Sequence, residues 1–286
     1  MRFTKMHGLG NDYIYIDTFE QSEPACGWAE LSKRVCRRHF GVGGDGIILI
    51  TPPTRADSLG GMKIYNPDGS VAEMCGNGLR CVAKYLHDRR GGRPDRLRVD
   101  TGAGQLEIRI CARKKNGEAE GLEVDMGTPV LVAAAIPTLG CGGGEEEKLR
   151  VGEKDYAYTA VSMGNPHCVV FVEDLGRFPV AEIGPQIENM TGVFPNRANV
   201  EFVQVISPRE VLQRTWERGA GETYACGTGA SAVVVAGVLR GLLAEEVKVR
   251  LTGGDLDIRW PGRKHVVMTG PATYVCEGTL PEESCA

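Results

Sequence analysis

Hydrophobic patterning predicts an α+β chain of two pseudo-symmetric domains, each a curved, mostly antiparallel sheet wrapped around one central helix, with a cleft between them. Three observations lead there. A loop is duplicated: Cys75-Gly76-Asn77-Gly78 returns 151 residues later as Cys226-Gly227-Thr228-Gly229. Short runs rich in Val, Ile and Tyr precede each copy, and an apolar run follows each.

The flanking segments keep nearly the same register. Gly10-Asn11-Asp12-Tyr13-Ile14 aligns with Gly164-Asn165-Pro166-His167-Cys168 at an offset of 154, and each opens a strand-like run, 13–17 and 167–172. Phe40 falls on Phe194 and Asp45 on Asn199 at that offset, just before the runs 47–50 and 200–205. Asn66 lies nine residues before Cys75, as Glu217 lies nine before Cys226. A drift of three residues over four landmarks marks two related halves, 1–125 and 126–271, with a loop-like connection around 141–148.

The helices follow from periodicity. Residues 79–86 carry apolar side chains at 79, 82, 83 and 86, which puts Arg80 and Lys84 on a polar side where Lys84→Met has little effect. The counterpart 230–239 is apolar all round and must be enclosed by protein. Taken alone, Val233-Val234-Val235 reads equally as a buried strand, and the repeat decides for helix. Further helices are expected at 28–40 and 180–189, and strands at 97–100, 105–111, 247–251 and 264–268.

Composition narrows the function. The 286 residues carry 33 Lys and Arg against 37 Asp and Glu, a net charge of -4, so there is no basic footprint for nucleic acid or an anionic membrane. A small-molecule partner is favoured, and the 39 glycines point to sites lined by backbone. The start of the chain lacks the apolar core of an export signal, and the uncharged stretch 126–144 is broken by Pro129 and Pro137, so a cytoplasmic location is expected. Ten cysteines there read as mostly reduced thiols. None forms a C-x-x-C pair, which argues against a metal site.

Cys75 and Cys226 stand apart because each precedes the first turn of a central helix, where unpaired N–H groups and the helix dipole favour a thiolate and receive a carboxylate. Two such thiols on opposite faces of one carbon can take a proton and deliver another, inverting a stereocentre while the helix ends meet the developing charge. One Cys-Gly-x-Gly alone reads as packing; the matched pair reverses that.

The segments Glu73-Met74-Cys75-Gly76-Asn77-Gly78-Leu79-Arg80-Cys81, Met163-Gly164-Asn165-Pro166-His167 and Trp216-Glu217-Arg218-Gly219-Ala220-Gly221-Glu222-Thr223, the last leading into Ala225-Cys226-Gly227-Thr228-Gly229, resemble diaminopimelate epimerase. So do His7-Gly8-Leu9-Gly10-Asn11-Asp12 and Asn66-Pro67-Asp68-Gly69-Ser70, all in family order. The resemblance implies cofactor-independent interconversion of LL- and meso-diaminopimelate, in lysine and peptidoglycan precursor synthesis, with Cys75 and Cys226 catalytic and the active site in the cleft. It implies N–H groups of Gly76, Asn77, Gly227 and Thr228 on the reacting carboxylate, and Asn11 and Glu217 at the reacting end. Asn66, Asn165, Asn199 and Arg218 would hold the distal amino acid end, Arg218 on its carboxylate, while His167 and Glu217 would bias the thiols. It further implies that a strand near 273–278 returns, so that 272–286 completes the first domain; a homodimer is compatible with it.

Gly46 stands where some members carry a substrate-touching Gln, and that contact is not assigned. The Gly-Gly-Gly-Glu-Glu-Glu loop and the Cys-containing tail match no motif. The nearest rival is a proline or hydroxyproline racemase of the same fold, against which Arg218 argues because a cyclic monocarboxylate has no distal carboxylate. A non-catalytic binding protein, a Cys75–Cys226 redox protein and a pyridoxal-phosphate racemase fit less well; no lysine motif suggests a Schiff base.

Overall fold

The computed structural model describes residues 1–72, 74–142 and 144–281. Glu73 of the first Cys-Gly motif, Gly143 of the triple-glycine loop and tail residues 282–286 lie outside the described residues. The chain divides into two units, Met1–Val124 with the segment from Gly270 onward, and Asp125–Thr269.

In the first unit the chain runs β1 (Arg2–Gly8), β2 (Asn11–Asp17), α1 (Gly27–Val35), β3 (Ile47–Thr51), β4 (Gly60–Tyr65), β5 (Val71–Ala72), α2 (Gly76–Arg89), β6 (Arg96–Thr101), β7 (Gly104–Arg113) and β8 (Ala119–Asp125). The second runs β9 (Glu147–Val151), β10 (Lys154–Ser162), β11 (Pro166–Phe171), α3 (Val180–Glu188), β12 (Asn199–Ser207), β13 (Glu210–Glu217), β14 (Gly221–Thr223), α4 (Gly227–Leu239), β15 (Glu246–Leu251), β16 (Gly254–Arg259) and β17 (Val267–Pro271), and β18 (Thr273–Thr279) closes the chain.

Strand pairing repeats step for step. β2 is parallel to β3 and β11 to β12; β3 is antiparallel to β4 and β12 to β13; β4 runs parallel to β6 and β13 to β15. The ladders β6 to β7 and β15 to β16 are both antiparallel. At the outer side β18 pairs antiparallel with β1, as β9 pairs with β10. The strand implied near 273–278 is therefore β18, and a distant part of the chain supplies in the first unit what a local hairpin supplies in the second.

Period-two alternation sorts the side chains of these strands. Ile14, Ile16, Ile47 and Leu49 turn toward Trp28, Leu31 and Val35 of α1, and Cys168, Val170, Val200 and Phe202 toward Val180, Ile183 and Ile187 of α3. The intervening residues, among them Ile48 and Glu201, face the central helix of their unit. α2 packs on β1, β2, β4 and β6, and α4 on β10, β11, β12, β15 and β16. α4 is buried almost throughout, as its all-round apolarity requires.

Four expectations are corrected. The helix expected over 28–40 ends at Val35, because the chain folds back over the carbonyls of Arg34 and Val35 so closely that only Gly41 fits. The last strand of the second unit starts at Val267 rather than 264, since a turn over Pro261–Arg263 with left-handed Gly262 and Arg263 delays it. Cys141, Gly142 and residues 144–148 lie inside the second unit, where Glu147 accepts from the Cys141 N–H and opens β9. Arg80 and Lys84 are not on a solvated face: both are fully buried. Phe40 and Phe194, equivalent in the repeat, also differ: Phe194 is buried, while Phe40 is exposed under the Arg37 guanidinium.

One buried carboxylate predicts acid behaviour. Asp100 accepts from the N–H and hydroxyl of Thr54, the N–H of Arg55 and the hydroxyl of Ser58. Burial raises its pKa, but these four bonds outweigh it and hold the group at about 2. Its contribution is present above the unfolded pKa of about 3.9 and is lost as pH falls toward 2. In acid unfolding followed by circular dichroism, Asp100→Asn is expected to be less stable at pH 6 and to lose less between pH 4 and pH 2 than the parent; parallel curves would refute it.

Candidate active site

The candidate residues form two half-sites, one in each unit. In the first, Gly10 takes a positive φ, +85°, to turn the chain from β1 into β2, and Asn11 follows. The Asn11 amide nitrogen donates to Asp45 (2.8 Å), which also accepts the Asp12 N–H. Its oxygen accepts from the Cys75 thiol at 3.3 Å and the Asn77 amide at 3.4 Å. Cys75 is the N-cap of α2, and its sulfur accepts the Gly78 N–H at 3.3 Å. Gly76 and Asn77 are the next two residues and form the start of the first turn of α2.

Arg80 supports this loop from beneath. Its guanidinium donates to the Asn77 side-chain oxygen at 2.7 Å and to the Pro271 carbonyl. Asn66 sits apart from these contacts, at the end of β4, where it forms the turn with Ser70 through backbone and side chain.

In the second unit Gly164, φ +96°, makes the matching turn. Asn165 and His167 follow, the His167 ring fully buried with Nε2 2.9 Å from the Asn165 side-chain oxygen and Nδ1 2.8 Å from Glu201. Cys226 is the buried N-cap of α4, its sulfur 3.5 Å from the Thr228 hydroxyl, with Gly227 between them. Glu217 ends β13 and accepts from the Thr223 hydroxyl. Burial raises its pKa, and the neighbouring Glu201 adds to the rise.

Asn199 joins β11 to the loop carrying Arg218: its nitrogen donates to the Pro166 carbonyl and its oxygen accepts the Arg218 N–H. Glu188, at the end of α3, steadies the same loop by accepting from the Trp216 indole and the Gly219 N–H. The Arg218 guanidinium is exposed in its unit, donates to the Asn196 carbonyl, and has no carboxylate partner among the described residues. A cation so placed can receive an external anion.

A helix N-terminus was expected to lower the thiol pKa, and at Cys226 the outcome is the reverse. Burial pushes it well above the ordinary thiol value, the carboxylates of Glu217 and Glu201 push the same way, and the Thr228 hydroxyl and Gly229 N–H do not compensate. These surroundings favour the thiol over the thiolate at Cys226.

Glu201 and Glu188 escaped the sequence reading, and Asp45 and Arg80 entered it only as a repeat landmark and a polar-side residue. A charge inside the apolar run Val200-Glu201-Phe202-Val203 was the one available signal for Glu201.

The model of the diaminopimelate epimerase family matches residues 3–132 and 159–275, spanning both half-sites. The chain belongs to that family. A diaminopimelate epimerase of Pelotomaculum thermopropionicum is 51% identical over 98% of this chain and 99% of its own length. One from Desulfitobacterium hafniense is 47% identical over 99% of each. Among solved structures, a hydroxyproline epimerase from Agrobacterium vitis superposes with a TM-score of 0.70 at 15% identity, covering 97% of this chain and 91% of that one. A predicted epimerase from Pseudomonas aeruginosa gives 0.66 at 16%, covering 98% of each. These likenesses place this chain in a fold shared with hydroxyproline epimerase, a probable proline racemase and a phenazine biosynthesis protein. Among the described residues no helix is long and apolar enough to cross a membrane.

Proposed function

We propose that this chain interconverts LL- and meso-diaminopimelate without a cofactor, by two-base exchange between Cys75 and Cys226, in the lysine and peptidoglycan precursor pathway of the cytoplasm. The two units serve as the two epimerase halves. The observation that carries the reading is the duplicated site: in each unit a cysteine caps the N-terminus of the buried central helix, within one repeated strand topology.

In the resting enzyme Cys226 is the proton donor, as its surroundings favour the thiol, and Cys75 takes the first α-proton. The N–H groups of Gly76, Asn77, Gly227 and Thr228 hold the α-carboxylate, so the charge that develops as the carbon acid ionises meets fixed dipoles. Asn11 and Glu217 serve the reacting end, and His167 and Glu217 bias the thiols. Asn66, Asn165, Asn199 and Arg218 hold the distal end.

Arg218 separates this substrate from a cyclic monocarboxylate. Replacing it with Met removes a charge-assisted contact worth about 1.5 to 3 kcal/mol, so kcat/KM for LL-diaminopimelate is expected to fall roughly 10- to 150-fold with the fold intact. A coupled assay with lysine and proline as control substrates tests both points. Turnover of proline, or unchanged kcat/KM in Arg218→Met, would overturn the assignment.

A further inference from the structure

The two half-sites are built on one plan, so their differences are informative. In the first unit Ile48 lies beneath the second glycine of the Cys-Gly loop, so close that a Cβ on Gly78 would come 2.6 Å from its Cδ1. In the second unit Glu201 occupies that place, 2.5 Å from where a Cβ on Gly229 would lie. Strand register confirms the equivalence, since Ile48 pairs with Tyr15 and Glu201 with Val169, and Tyr15 and Val169 are 154 residues apart. Tyr13 likewise stands where His167 does. An apolar residue thus satisfies the fold at this position, yet the second unit buries a carboxylate there. Glu201 is fully buried, Oε1 bonds His167, and Oε2 meets no hydrogen-bond donor among the described residues. Keeping such a group is costly.

Resting on the two-thiol reading above, we propose that Glu201 is a positioning residue of the second half-site: it holds the His167 ring by Nδ1, so that Nε2 stays on Asn165, and places under the first turn of α4 the charge that keeps Cys226 protonated. His167 faces it from β11, Glu217 from β13, and Cys226 and Thr228 from the start of α4, while Cys168 of β11 lies on the opposite face of the sheet. Lys248 of β15 and Asp255 and Asp257 of β16 pair with one another at the surface. The raised pKa of Cys226, to which Glu201 contributes, agrees with this role. At the two equivalent positions beside Cys75 stand Tyr13 and Ile48 in place of His167 and Glu201, so the two half-sites differ there.

The test is the pH dependence of iodoacetamide alkylation of the full chain, read by peptide mass at Cys226 and Cys75. Removing the charge in Glu201→Gln is expected to move the Cys226 midpoint down by about one pH unit and to leave Cys75 where it was, while Glu201→Asp, which keeps the charge, stays near the parent. If Glu201→Gln does not fold, Glu201→Ile, carrying the residue of the equivalent position, is expected to give the same downward shift. A Cys226 midpoint that stays or rises, or one that moves together with that of Cys75, would overturn the proposal. Alkylation needs no turnover, so this proposal and the assignment of the reaction fail separately.

Discussion

Replacing either Cys75 or Cys226 with Ala is expected to lower epimerisation of diaminopimelate by about 10² to 10⁴, the usual contribution of a positioned acid or base, while each variant still exchanges the α-proton of one isomer with solvent. The reason is the division of labour. In the proposed two-base mechanism each thiol serves one face of the carbon, so the remaining cysteine can remove and return a proton on its own side, but nothing delivers one opposite. In heavy water the parent enzyme is expected to label product early and leave recovered substrate almost unlabelled. A single base would label both isomers alike. Mass spectrometry of each isomer at low conversion, for the parent and the two variants, reads all of this at once. Normal epimerisation by either Ala variant, or equal early labelling of both isomers by the parent, would sink the two-base mechanism.

Lys84→Met is expected to destabilise the first unit by about 3 to 5 kcal/mol, although the periodicity of α2 marked Lys84 as a tolerant surface residue. Its ammonium is fully buried, donates to Asp88 at 2.9 Å and to the Ala119 carbonyl at 2.6 Å, and lies over the Tyr274 ring. Asp88 in turn accepts the Ala119 N–H and bonds the His87 ring. Met fills the space but leaves the Asp88 carboxylate buried without its cation, the costly outcome for a buried pair. The double variant Lys84→Met with Asp88→Asn, which removes both charges, is expected to recover a large part of that loss. Thermal melting of the three variants decides it, and additive losses would show that the two residues are not coupled.

Much of the candidate site was legible because its local structure is set by neighbouring residues. A glycine that must turn backward before a strand, as at Gly10 and Gly164, and a cysteine capping a helix that begins Gly-x-Gly, are written in adjacent residues. The repeat then turned an ambiguous apolar run into α4, because one copy of a topology constrains the other. The pairing of β18 with β1 was accessible only through resemblance, since periodicity carries no information about a contact spanning the length of the chain.

By itself the sequence determined the α+β class, the duplication, the two cysteines at helix starts and the family to which they belong. Tertiary structure alone decided which charges are buried. Helical spacing places Arg80 and Lys84 opposite the apolar stripe, but α2 is buried all the way from Asn77 to His87, so that face meets Asn77, Asp88 and Tyr274 instead of water. It also decided that the surroundings of Cys226 favour the thiol. A helix dipole is a property of the helix and can be read along the chain, whereas desolvation and the fields of Glu201 and Glu217 arise from strands β12 and β13 laid beside one another. Those through-space effects favour the thiol, whereas the reading along the chain favoured the thiolate.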